Sequence, residues 1–197
     1  LVFLPFRQAG RRIFMKILYY DGGDQHKRNL VRAVLKEMQH PYTMIEQNQG
    51  NHTLDDLLKN RHLETANAIP LPSTDLIVFE YGTDAQILEV SQALVKHKAH
   101  VELKCIVTKT NRKWQFCDLL AEVMEEQAYF VCRRKCQELI QEVASFREDD
   151  YTNDSWNAYE AAFMKGAMLF QKKQSSKRQF EEVIYEITQA KECLVKK

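Results

Sequence analysis

The chain has 197 residues, 45% hydrophobic, 28% charged and 10% aromatic, which excludes a disordered or fibrous protein and leaves one large domain or two small ones. Its 28 basic and 27 acidic side chains give a net charge of +1, so no general drive toward nucleic acid or anionic membrane exists. No apolar run approaches the roughly 20 residues of a membrane span, and five cysteines without paired metal-type spacing fit a reducing cytoplasm better than a disulfide framework.

Residues 1–14 begin without a methionine, and Met15 opens a strand-like run. Their apolar cluster precedes their arginines, the reverse of a secretory signal. The segment is read as a non-native or disordered extension translated from a misplaced start; the alternative is a real extension that packs Val2, Phe3 and Phe6 onto the surface. No functional weight rests on it.

Next, short β-branched and aromatic runs alternate with helical patterns. Ile17–Tyr20 predicts a strand, the Asp21-Gly-Gly-Asp24 run a turn, and His26–Met38 a helix through Leu30, Val31, Val34, Leu35 and Met38. Tyr42–Glu46 reads as a second strand and Thr53–Asn60 as a short helix with a Thr cap. Arg61–Thr74, with Pro70 and Pro72, reads as a loop. Leu76–Glu80 is the third strand. Thr83-Asp-Ala-Gln86 is a capping box, opening a helix expected to align Ile87, Leu88, Leu94 and Val95. Leu103–Val107 is the fourth strand, and Asn111 is expected to cap a helix from Arg112. Strand–helix alternation favours a parallel, doubly wound α/β sheet, ordered 2-1-3-4, with right-handed crossovers.

The turn after the fourth strand, Thr108-Lys109-Thr110-Asn111-Arg112-Lys113-Trp114, carries a T-x-T-N-x-x-W pattern, followed by Leu119, Leu120 and Glu125-Glu126. On these residues the segment from Met15 to about Tyr129 resembles an uncharacterised bacterial domain-of-unknown-function family. That resemblance implies no known activity.

After Gly82 the chain has no proline and one glycine, Gly166, so long helices are expected. The helix from Arg112 can run on into the second half, with a bend near Gln127 equally compatible. Three amphipathic stripes follow: Cys132, Cys136, Leu139, Ile140, Val143 and Phe146; Trp156, Tyr159, Phe163, Ala167 and Phe170; and Phe180, Val183, Ile187, Ala190 and Leu194. Ser176 and Gln179 form a second capping box. These stripes predict a three-helix bundle over residues 130–197, beside an α/β domain over 15–129. With Tyr151-Thr152 ahead of Ser155-Trp156, then Tyr159, Ala162 and Phe163, the helical half resembles a FIVAR module, a family of spacer or adhesive units on extracellular proteins. A single copy and the cysteine usage depart from that setting.

Candidate chemistry is sparse. Cys132 and Cys136, four residues apart on an apolar stripe, read as packed core thiols. His97 and His100 sit at a Lys-rich helix end, a cationic complement to the helix dipole rather than a metal pair. His26, His40, His52 and His62 fall in no ligand motif. Gly22-Gly23 lacks a phosphate-loop pattern and is bracketed by carboxylates. The basic groups of the second half, 12 Lys and Arg against 11 Asp and Glu, read as solvated helix faces.

One constellation stands out. Ligands of open α/β sheets bind beyond the carboxyl ends of the strands, and those ends would present Asp21, Asp24, Glu80, Thr108 and Lys109, with Asn111 capping the turn and Trp114 covering it. The set resembles the receiver domain of bacterial response regulators, but with Glu80 in place of an aspartate and without a fifth strand; the resemblance implies a degenerate, non-catalytic relative. The sequence supplies no catalytic set, metal site or cofactor loop. It therefore reads as a cytoplasmic, non-catalytic binding or adaptor protein with an unknown protein partner, and without nucleic acid or membrane. The alternative is a regulatory α/β domain that takes a small ligand or divalent metal at the strand edge.

Overall fold

The computed structural model describes residues 14–61, 69–143, 145–172 and 174–197. The expectations for Val2, Phe3, Phe6 and His62 fall outside these. The chain divides into two compact units, one ending at Val123 and the other starting at Met124.

The first unit holds a four-stranded sheet. Its strands are β1 (Lys16–Tyr20), β2 (Tyr42–Ile45), β3 (Leu76–Glu80) and β4 (Leu103–Ile106), in the order β2-β1-β3-β4. Strand positions and order match expectation; strand direction does not. β1 pairs with β2 in parallel and β3 with β4 in parallel, but β1 and β3 are antiparallel, with Lys16 opposite Glu80 and Tyr20 opposite Leu76.

The cause lies in the connection between β2 and β3. A parallel crossover passes the sheet once; this connection passes it twice. Helix α2 (Leu54–Leu58), capped by the Thr53 hydroxyl, brings Leu58 and Asn60 beside Lys16–Leu18, at the amino end of β1. By Pro72 the chain is back at the carboxyl end, where the Tyr20 hydroxyl donates to the Pro72 carbonyl at 2.9 Å. Gly22 makes this return possible: its φ is +64°, and a Cβ there would lie 2.8 Å from the backbone of Ser73 and Thr74. β3 thus starts where β1 ends.

The result is an internal twofold repeat. Helix α1 (Gln25–Glu37) joins β1 to β2 as helix α3 (Asp84–Lys96) joins β3 to β4, and both helices have 13 residues. Each helix is followed by a residue in the left-handed region, Gln39 at φ 58° and Lys98 at φ 57°. A 3-10 turn then leads to a helix in each half: Gln47–Gln49 before α2, and Asn111–Lys113 before α4 (Phe116–Val143). The repeats meet at an antiparallel bridge, Thr53 opposite Gln115. There Leu54 N–H donates to Trp114 O and Phe116 N–H to His52 O, at 3.1 and 2.9 Å.

α1 and α3 share one face of the sheet, over a core of Ile17, Tyr19, Ile77, Phe79, Val31, Val34, Leu35, Val90 and Leu94. On α3 the buried face is therefore Val90 and Leu94; Leu88 and Val95, expected on it, are exposed. Because side chains alternate along a strand, Leu18 and Tyr20 face the other side, where the Tyr20 and Phe116 rings meet edge to face at 5.6 Å.

In the second unit, the α4 residues from Met124 onward, α5 (Asn153–Gln171) and α6 (Lys177–Glu192) contribute to one apolar cluster. Cys136, Tyr159, Leu169, Phe180, Val183 and Ile187 form its centre, and Cys132 packs against it. The Ser176–Gln179 capping box opens α6. Gly166 marks the closest approach: a Cβ there would lie 3.0–3.2 Å from Val183, Ile187 and Ile140. α4 is unbroken from Phe116 to Val143 and starts later than Arg112.

Candidate functional site

The antiparallel centre of the sheet separates the residues that the sequence groups together. Asp21 and Asp24 follow β1, whereas Glu80 ends β3 opposite Lys16, the length of the strand away. At roughly 3.3 Å per residue that distance is on the order of 13 Å. A single carboxyl edge, on which the receiver-like arrangement depends, does not exist here.

At the β1 end Asp21, Asp24 and Asp75 each have a structural partner. Asp21 accepts from Gly23 N–H at 2.8 Å and pairs with Arg28 at 3.2 Å. Asp24 caps α1 through Lys27 N–H at 2.9 Å, and Lys27 pairs with Asp75 at 2.8 Å. Arg28 also meets Glu46 at 2.6 Å. The turn is closed by its own charges.

At the β3 end Glu80 meets Arg112 and, through it, Asp55, two residues the sequence reading missed, as it did Tyr81, which follows Glu80 in the chain; Thr108, Lys109, Asn111 and Trp114 belong to the turn after β4, the parallel neighbour of β3. Glu80 is 3% exposed and forms an ion pair with Arg112, which also reaches Asp55 at 3.2 Å. The Glu80 carboxylate, together with Asp55, holds the guanidinium above its ordinary pKa. Asp55 is held below the usual carboxylate range, chiefly by its hydrogen bond from Lys59 and further by Arg112. Four charges thus cancel.

Over this network stands Tyr81. Its φ is 60°, a left-handed conformation that costs a residue with a Cβ roughly 1–2 kcal/mol, yet the residue is 55% exposed. The Arg112 guanidinium lies 5.9 Å from the ring centroid; the exposed Lys113 follows Arg112 in the chain and the exposed Lys109 precedes it by three residues.

Asn111 does not cap a helix at Arg112. Its side chain accepts from Thr108 N–H at 2.7 Å and donates to the Ile106 carbonyl at 3.0 Å, while the Thr108 hydroxyl accepts from Asn111 N–H at 3.1 Å. Trp114 precedes α4 in extended backbone rather than sitting in its first turn. Two signals could have exposed the corner: a Tyr-Gly pair directly after a strand, and the recurrence of Asp56-Leu57-Leu58 as Asp118-Leu119-Leu120, which betrays the repeat.

Among the described residues no group of three or more His, Cys, Asp and Glu side chains is placed to hold a metal ion, and no helix is long and apolar enough to cross a membrane. No curated protein and no solved structure matches the chain. Residues 75–130 match the family model of a domain of unknown function (DUF3783), and this match spans β3 through the first half of α4, taking in Glu80, Tyr81 and Arg112 but neither Asp21 nor Asp24.

Proposed function

We propose that the protein is a cytoplasmic, non-catalytic binding or adaptor protein of bacterial type, whose protein partner contacts the corner formed by Tyr81, Arg112 and Lys109. The second unit, read as a FIVAR-like three-helix bundle, is its companion module. The observation that carries the reading is the exposed Tyr81 ring held in a strained backbone. Strain of this kind persists where surrounding structure imposes it, and it clusters at functional sites.

The internal repeat supports the same reading. The counterpart of Glu80 in the first half is Tyr20, fully buried against Phe116. An aromatic side chain meets the packing need at that position, so the buried charge network is not demanded by the architecture. Among the described residues no nucleophile is paired with a base at this corner, and we read it as a recognition surface.

Capture from the native cell by the tagged full chain tests the proposal. Tyr81→Ala and Lys109→Glu are expected to lose the captured partner while the melting temperature stays within a few degrees of wild type. Equal capture by both variants at equal loading refutes it.

A further inference from the structure

We propose that the groove between α4 and α5 docks an amphipathic helix of a partner protein, one that carries acidic side chains beside its apolar face. The groove has a volume of about 500 Å³ and is lined by Arg133, Gln137, Ile140 and Gln141 of α4 and by Ala167, Phe170 and Gln171 of α5. Ile140, Ala167 and Phe170 supply an apolar floor. Met164 and Met168, both exposed, continue the Ala167–Gln171 side of α5 at three- and four-residue spacing. Flexible thioethers suit a surface that must accept another helix.

Charge decides the occupant. Among the described residues no carboxylate lines the groove, and the one charged lining side chain is Arg133, whose guanidinium lies 5.4 Å from the Phe170 ring centroid. Arg134 lines the adjoining hollow beside Arg133 and Gln137, and Lys172 follows the last residue of α5. An apolar floor closed by this cationic end complements an acidic amphipathic helix and repels a basic one. The shape agrees: from Arg133 to Gln141 the groove follows about two helical turns. Both walls are helices, so strand addition has no edge to use. This surface lies wholly in the second unit and is independent of the Tyr81 corner.

The test is a selection from a displayed library of 18-residue helical peptides against the full chain, with the Ala167→Arg variant as counter-selection. Enriched peptides are expected to show apolar residues at i, i+3, i+4 and i+7 flanked by Asp or Glu. Their affinity should fall at least tenfold on Ala167→Arg and on Arg133→Glu. Exchanging their acids for lysines should restore binding to Arg133→Glu. Circular dichroism melts establish that both variants fold, and Tyr81→Ala should bind the peptides like wild type, which separates this proposal from the one above. The inference is overturned if no peptide is enriched over the counter-selection, if basic peptides are enriched, or if sedimentation velocity shows a dimer of this chain that Ala167→Arg abolishes.

Discussion

Tyr81 couples stability to recognition in opposite directions. Glycine adopts a left-handed φ without steric cost, so Tyr81→Gly should raise the melting temperature by releasing about 1 kcal/mol, an amount that shifts a domain of this size by several degrees. The same substitution removes the ring that we assign to the partner, so capture should fail in a protein that is more stable. A lower melting temperature for Tyr81→Gly would show that the ring is held for packing instead. Burial gives Tyr159 a different signature. Burial, with Glu142 and Tyr151 adding to it, raises its phenol from 10.0 to about 12. Folding thus favours the neutral form, and that contribution is intact below the ordinary pKa and lost as pH rises through the folded one. Between about pH 8 and about pH 11, Tyr159→Phe should therefore lose less melting temperature than wild type does. An equal loss in both proteins would assign alkaline destabilisation to other groups.

Among the elements, position was legible in the sequence and direction was not. Leu76–Glu80 is buried on both faces, and the unbroken apolar run Leu76–Phe79 reads identically whichever way it runs. Direction was set by the doubled connection through α2 and Pro72, whose length the sequence shows but whose path it does not. Caps were legible because they are local: Thr83 with Gln86 and Ser176 with Gln179 sit three residues apart and close as expected. The Glu80–Arg112–Asp55 network was not, because its members are far apart in the chain and Asp55 reaches the other two only once β3 is reversed. Gly166 permits a prediction at this scale. Its Cβ position already touches Val183, Ile187 and Ile140, so Gly166→Val adds atoms where three helices converge. Overpacking of this kind costs about 1–3 kcal/mol, and the loss should exceed any gain in helix propensity. Thermal denaturation followed at 222 nm checks the sign.

For the whole molecule, the two compact units predict separable folding. The break after Val123 assigns Tyr129 to the helical unit, where its ring meets Phe180 at 5.7 Å. A fragment of residues 124–197 should therefore melt cooperatively and at a higher temperature than one beginning at residue 131, which lacks that contact; coincident melts would place the boundary later. The outer edge of the sheet holds a last consequence. Val107 donates its N–H to Phe79, which turns the Ile106 carbonyl away from the sheet and onto the amide of Asn111. An edge strand with free backbone groups is a template on which other chains can grow. One buried amide thus guards β4 against self-association, with the charged Lys104 beside it. Asn111→Ala should cost about 1–3 kcal/mol through the hydrogen-bond partners it leaves unpaired. It should also make the protein nucleate fibres on prolonged incubation faster than wild type does, measured by thioflavin fluorescence and light scattering, at temperatures where most of the chain is still folded.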